Sequence, residues 1–294
     1  MTAGYLDRLA ARSESTGTVL CLGLDPDPSA MPPGFGQDLA GLERFVALVV
    51  EAALPYVAAV KPNLAFFEAY GSAGMASLER LRARLPDDVP LVADAKRADI
   101  GSTAARQAVA LFDRLGADAV TVNPYLGSEA IAPFMEREDR FAYLLCRTSN
   151  PGAGELQDLV VAADPGRGVP AEQLHERVAR RAATWGPGGT VGLVVGATAP
   201  HELAAIRHIA PGLPFLVPGV GAQGGAIEPV LAAGPATDPP GAGRPGAGLL
   251  VNVSRGIAGA ALENGPGDPF ERVAEAARSW AKRLVCYPDR RPAT

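Results

Sequence analysis

Residues 90–108 read PLVADAKRADIGSTAARQA, and the rest of the chain is organised around this stretch. A short apolar run leads into Asp94, Ala95 and Lys96; a second carboxylate follows at Asp99, then a glycine and a helical pattern. Side chains alternate along a strand, so Asp94 and Lys96 are expected to point the same way at its carboxyl end. An inward charge costs several kcal/mol unless it is paired or used. Two readings are open: a simple ion pair with Asp99 capping the next helix, or a functional site marked by clustered opposite charges.

Lysine usage favours the second. Of 27 basic residues only Lys61, Lys96 and Lys282 are lysines. An ammonium can give up a proton, whereas a guanidinium effectively cannot. Two of these lysines stand at strand ends, in VAAVKPN and VADAKR.

Outward from this stretch, short apolar runs alternate with helical patterns. Strands are expected at 18–25, 56–63, 90–97, 118–125, 141–149, 190–198, 214–221 and 248–256. Most are continuous apolar runs, as parallel strands covered on both faces should be. Helices are expected between them at 41–54, 72–85, 101–115, 128–138, 171–185, 200–209, 225–233 and 268–285. Eight such units predict a (β/α)8 TIM barrel, α/β in class, with residues 1–294 forming a single domain. A doubly wound sheet is the weaker alternative, because no GxGxxG follows a strand. The Gly- and Pro-rich segment 234–248 reads as a flexible insertion at the amino-terminal face, and 288–294 as a frayed tail. Residues 150–170 form a long loop on the opposite face.

The bulk properties narrow the partners. A net charge of −5 lacks the basic footprint of a nucleic-acid binder. The longest apolar region, 45–60, is interrupted by Glu51 and Pro55, so no membrane span is expected. Three cysteines without metal-ligand spacing, and a polar start without a signal-peptide core, fit a cytoplasmic protein with reduced thiols. His175, His201 and His208 fall in helical segments without ligand partners, and Ser149 has no neighbouring histidine to activate it.

In a barrel the active site forms at the carboxyl ends of the strands. Those ends supply Asp25, Lys61, Asp94, Lys96, Thr148, Ser149, Gln223 and Arg255. Asp25 by itself could equally be a plain strand-to-turn carboxylate. Together, Asp25, Lys61, Asp94 and Lys96 would make an alternating charge array, with Asp99 just beyond. The run PGVGAQGG, with Arg255 and Gly256 after the last strand, suits an anion such as phosphate, which commonly binds at the last two strand ends.

DAKRADIGST at 94–103 resembles the signature of the orotidine 5′-phosphate decarboxylase family, Asp-x-Lys-x-x-Asp-Ile-Gly-x-Thr. LGLDPDP, KPN, CRTSNPG, VGAT, PGVGAQGG and VNVSRGI follow in that family's order, and the longer loops resemble its longer bacterial subgroup. The resemblance implies decarboxylation of orotidine 5′-monophosphate to uridine 5′-monophosphate and CO2 in pyrimidine synthesis, without metal or organic cofactor. It implies that Lys96 delivers a proton to C6 and that Asp94 faces the substrate carboxylate. Lys61 and Asp25 would contact the ribose, Ser149 the pyrimidine edge, and Gln223 and Arg255, with Gly256, the phosphate. Asp99 and Thr103 would reach the neighbouring subunit's site, making the active enzyme a homodimer, and Ile100 would contact substrate. Two competing readings are a magnesium-dependent sugar-phosphate enzyme and a non-catalytic nucleotide-binding barrel. The first places a glutamate where Lys61 stands, and the second has no need of the Lys96 array.

Overall fold

Parallel strands β1 (Leu20–Leu24), β2 (Ala59–Pro62), β3 (Val92–Arg97), β4 (Ala119–Val122) and β5 (Phe141–Arg147) come first in the barrel wall. A two-stranded antiparallel hairpin, β6 (Val160–Val161) with β7 (Glu172–Gln173), interrupts the series before β8 (Val191–Val195), β9 (Phe215–Val217) and β10 (Leu250–Val253) complete it. This computed structural model describes residues 3–32, 34–262 and 267–285. The wall runs in the order β2-β1-β10-β9-β8-β5-β4-β3, and parallel bridges Val60–Leu91 and Asn63–Asp94 bring β2 back to β3. The result is the expected single-domain TIM barrel. Segment 288–294 and Cys286 lie outside the described residues.

The strand sequences explain the layering. All five residues of β1 and all four of β4 are buried, because one face fills the barrel and the other meets helices. Cys21, Ala59, Val92, Ala119, Phe141, Tyr143, Val194, Leu216 and Leu250 pack inside. The outer faces meet helices α2 (Leu39–Ala53), α4 (Gly71–Arg84), α5 (Gly101–Ala108), α8 (Leu174–Ala182), α9 (Pro200–Ile209), α10 (Ile227–Ala233) and α12 (Pro269–Arg283). Among the described residues no helix is long and apolar enough to cross a membrane.

Several elements differ from the sequence expectation. Helix α1 (Tyr5–Thr16) was not expected; its Tyr5, Leu6 and Leu9 join the interior cluster. Tyr5 stacks on Phe141 at 4.8 Å and hydrogen-bonds the Tyr143 hydroxyl at 3.2 Å. A few apolar residues in a polar segment give little signal, yet they suffice to plug one end of a barrel. Helix α3 (Leu64–Glu68) is a short addition after β2, with Asn63 accepting the Ala65 N–H at its start. The expected helix over 128–138 contracts to α6 (Ala132–Met135). The expected helix at 171–185 begins later, as α8, where Gln173 and Glu176 form a capping box. Within 150–170 the chain forms α7 (Gly154–Gln157) and β6.

The amino-terminal end of the barrel is held by polar groups. Asp118, almost fully buried, receives Arg8 at 2.6 Å and the Leu91 N–H at 2.7 Å. Segment 234–248 lies at this end: the Thr237 N–H donates to the Pro211 carbonyl at 2.9 Å, and Arg244 pairs with Asp7 at 3.0 Å. These anchors leave the carboxyl ends of the strands clear.

Candidate active site

Asp94 is the centre of the opposite end. Its Oδ2 meets Lys61 Nζ from β2 at 2.5 Å, and its Oδ1 meets Lys96 Nζ at 2.6 Å. The side chain of Lys61 is 5% exposed and that of Asp94 12%, whereas Lys96 is 50% exposed and reaches toward solvent. A buried ammonium and carboxylate of this kind are tolerated only as a pair. Burial pulls the Lys61 ammonium down, but Asp94 and Asp25 together more than offset it and raise its pKa. Burial likewise pushes the Asp94 carboxyl up, and Lys61 with Lys96 overrides this, holding it well below the usual carboxylate range. Both groups of the pair are therefore ionised at neutral pH. Beneath them Cys21 is buried, and its thiol is pushed up to about 12, chiefly by burial.

The convergence of Asp94 and Lys96 does not arise from strand alternation. The β3–β4 register shifts between Ala93 and Arg97, and Lys96 has a φ of 48°. That left-handed conformation is costly for a residue with a Cβ and persists only where its surroundings impose it. Thr121 on β4 imposes it here. Its Oγ1 accepts the N–H groups of Ala95 and Lys96, each at 3.0 Å, and donates to Asp94 Oδ1 at 3.0 Å. One hydroxyl thus uses its full donor and acceptor capacity on the bulge. The sequence reading missed Thr121. The available signal was a polar residue inside the apolar strand AVTV.

Asp25, Gln223 and Arg255, expected at three different strand ends, line one cavity of about 380 Å3 together with Asn63, Phe66 and Ser254. Gln223 and Arg255 are exposed there, and among the described residues no side-chain hydrogen bond or ion pair ties either one down. Gly256, at the start of α11 (Arg255–Ala258), accepts the Trp280 indole N–H through its carbonyl at 3.1 Å.

Ser149 sits between the ends of β8 and β9. A Cβ on Gly196 would fall 2.9 Å from the Ser149 Cα, and one on Gly219, whose φ is 98°, would fall 3.0 Å from its Cβ. Only glycines admit the serine so closely. The residue before it is clasped: Thr148 donates its N–H to Gln157 Oε1 at 2.8 Å and accepts Gln157 Nε2 on its hydroxyl at 2.8 Å. The next residue back, Arg147, meets Asp158 at 3.1 Å. Gln157 also escaped the sequence reading, since nothing local marks a partner nine residues away. His175, which places Nδ1 2.9 Å from the Gln157 carbonyl, is a buried part of this scaffold, while His201 and His208 are exposed.

Asp99, Ile100 and Thr103 are not brought into contact with the array within one chain. Asp99 accepts its neighbour's Ile100 N–H at 2.8 Å, Ile100 is 65% exposed, and Thr103 is exposed on α5. Among the described residues no three His, Cys, Asp or Glu side chains gather as a metal site.

A sequence profile of the orotidine 5′-phosphate decarboxylase / HUMPS family matches residues 18–265. Orotidine 5′-phosphate decarboxylase of Roseiflexus castenholzii is 47% identical over 279 residues, covering 95% of this chain and 94% of that protein. The enzyme of the same name from Thermomicrobium roseum is 45% identical over 283 residues, covering 95% and 93%. The solved structure of Leishmania donovani OMP decarboxylase superposes with a TM-score of 0.79 at 37% identity, covering 96% of this chain and 98% of that one.

Proposed function

The chain belongs to the orotidine 5′-phosphate decarboxylase / HUMPS family, and from that premise we propose that it converts orotidine 5′-monophosphate to uridine 5′-monophosphate and CO2. It is a carboxy-lyase, and this reaction places it in pyrimidine biosynthesis. The observation that carries the mechanism is the array of Lys61, Asp94 and Lys96, in which one carboxylate holds two ammonium groups.

Breaking the bond between C6 and the carboxylate leaves an electron pair on C6, and no conjugated group accepts it. A fixed ammonium beside that atom stabilises the developing charge, an effect typically worth a few kcal/mol. Lys96 fits this role because it is the exposed ammonium of the array. It gives its proton to C6 as CO2 departs and regains one from solvent. Asp94 fixes Lys96 and presents negative charge toward the substrate carboxylate; charge stabilisation at C6 is the larger effect, because the array is already set before substrate arrives. Lys61 and Asp25 face the ribose, and Ser149, steadied by the Thr148–Gln157 clasp, reads the pyrimidine edge. Gln223, Arg255 and the Gly256 backbone hold the phosphate in the cavity they border. Binding energy from that remote group helps position the ring for the chemical step.

The site is completed by a second copy of the chain. Ile100 and Thr103 are exposed and Asp99 is half-buried a few residues beyond Lys96, and Tyr125 and Leu126 at the neighbouring strand end are 78% and 50% exposed. Exposed apolar residues grouped beside a charged site suit a homodimer interface. A place in pyrimidine biosynthesis, acting on a small nucleotide, suits a cytoplasmic enzyme. Ultraviolet-monitored turnover of orotidine 5′-monophosphate with excess chelator is the test. Conversion is expected; none from folded dimeric protein would overturn the reading.

A further inference from the structure

Trp280 lies outside every motif that marks the site, yet it touches both loops that border the phosphate end of the cavity. A Cβ placed on Gly221 would fall 2.9 Å from its Cη2, and one placed on Gly256 would fall 2.9 Å from its Nε1. Its indole N–H donates to the Gly256 carbonyl at 3.1 Å. Gly221 is two residues from Gln223, and Gly256 adjoins Arg255. A single ring therefore bears on the backbone of both loops, next to the two residues that face the cavity.

The ring itself is held. Arg283 stacks over it with its guanidinium carbon 4.4 Å from the ring centroid. Helix α12, which carries it, buries Val273 and Ala277 and is tied to the wall where Val19 N–H and the Thr18 hydroxyl donate to the Leu284 carbonyl at 3.0 and 2.7 Å. The loop after β9 is closed only by backbone bonds, among them the Gly225 N–H to the Gly219 carbonyl at 3.0 Å and the Gly224 N–H to the Gly221 carbonyl at 2.8 Å, and Gly219, Gly221 and Gly224 all take positive φ. Loops built on glycine have a large conformational entropy to lose, and a rigid surface against them reduces that loss.

We propose that Trp280 is the positioning residue that couples the Gln223 loop to the Arg255 loop, so that the grip on the ligand's phosphate forms as one unit. This rests on the assignment of phosphate to Gln223 and Arg255. Trp280 touches no substrate; it sets the distance between two groups that do. The coupling belongs to binding, so its loss falls mainly on KM and on discrimination between a nucleotide and its nucleoside.

The chain has two tryptophans, Trp185 and Trp280, so Trp185→Phe isolates the signal of interest. In that background inorganic phosphate and uridine 5′-monophosphate should shift Trp280 fluorescence, and uridine should not. Trp280→Leu should weaken uridine 5′-monophosphate about tenfold or more and leave uridine affinity unchanged, while Trp280→Phe, which keeps a smaller aromatic ring and loses the N–H, should recover part of the loss. KM should rise more than kcat falls. Equal weakening of nucleotide and nucleoside, unchanged nucleotide affinity, or fluorescence blind to phosphate would overturn the coupling. Arg255→Ala separates the two levels. If it abolishes the preference for nucleotide over nucleoside while the Trp280 variants do not, the coupling alone fails. If the preference survives Arg255→Ala, the phosphate assignment itself fails and the coupling falls with it.

Discussion

The Thr121 hydroxyl accepts the backbone N–H of Lys96 at 3.0 Å, and through this bond a residue on one strand sets the left-handed conformation of a residue on the next. The same oxygen donates to Asp94. Thr121→Val keeps the shape and leaves two N–H groups and a carboxylate oxygen without this partner. Stability is expected to fall by about 1–3 kcal/mol. Turnover should fall roughly ten- to hundredfold through misplacement of Lys96. Urea unfolding and steady-state kinetics check the two; an unaffected kcat would remove Thr121 from the positioning of the proton donor.

A shared site makes a qualitative prediction. Lys96→Ala and Asp99→Ala chains should each be inactive alone, and mixing them should restore activity, because one site of each heterodimer is then wholly native. Activity assays on mixtures whose heterodimer content is measured by native mass spectrometry check this. Inactive heterodimers would show that Asp99 serves its own chain.

The array should resist acid. Asp94 is depressed in the folded state, so its stabilisation is present above the usual 3.8 and is lost as pH falls through its lower folded value. Lys61 is raised, so its contribution is full below the usual 10.5 and is lost as pH climbs past its higher folded value. The pair thus stabilises the fold across the whole interval between. Carboxyl carbon NMR should find Asp94 still ionised as pH falls through 3.8; protonation at or above that value would contradict the charge array.

The clasp on Thr148 should matter to recognition more than to chemistry. Gln157→Leu removes both hydrogen bonds to Thr148 and frees the loop that carries Ser149. KM is expected to rise roughly tenfold with a smaller change in kcat. A fall in kcat at constant KM would place Gln157 in the chemical step instead.

Much of this architecture is legible in one dimension because its causes are local. Continuous apolar runs punctuated by helical patterns mark the barrel, since each parallel strand must be covered on both faces. Charges at strand ends mark the site, since Asp94 and Lys61 could not be buried singly. Their sequence positions, together with the ordered companion motifs, were enough to identify the family. Other features depend on distance in space. Whether Tyr5 would plug the barrel depended on Phe141 and Tyr143, far along the chain. The meeting of Lys96 with Asp94 was expected from alternation and is achieved by a bulge, which only Thr121 on the next strand could hold. Trp280 bears on Gly221 and Gly256 because helix α12 returns against the glycine loop after β9 and the start of α11, and no spacing in the sequence encodes that return. Periodicity and charge cost act on neighbours along the chain and so can be read from it. Hydrogen-bond partners and ring contacts between distant segments exist only once the barrel has closed.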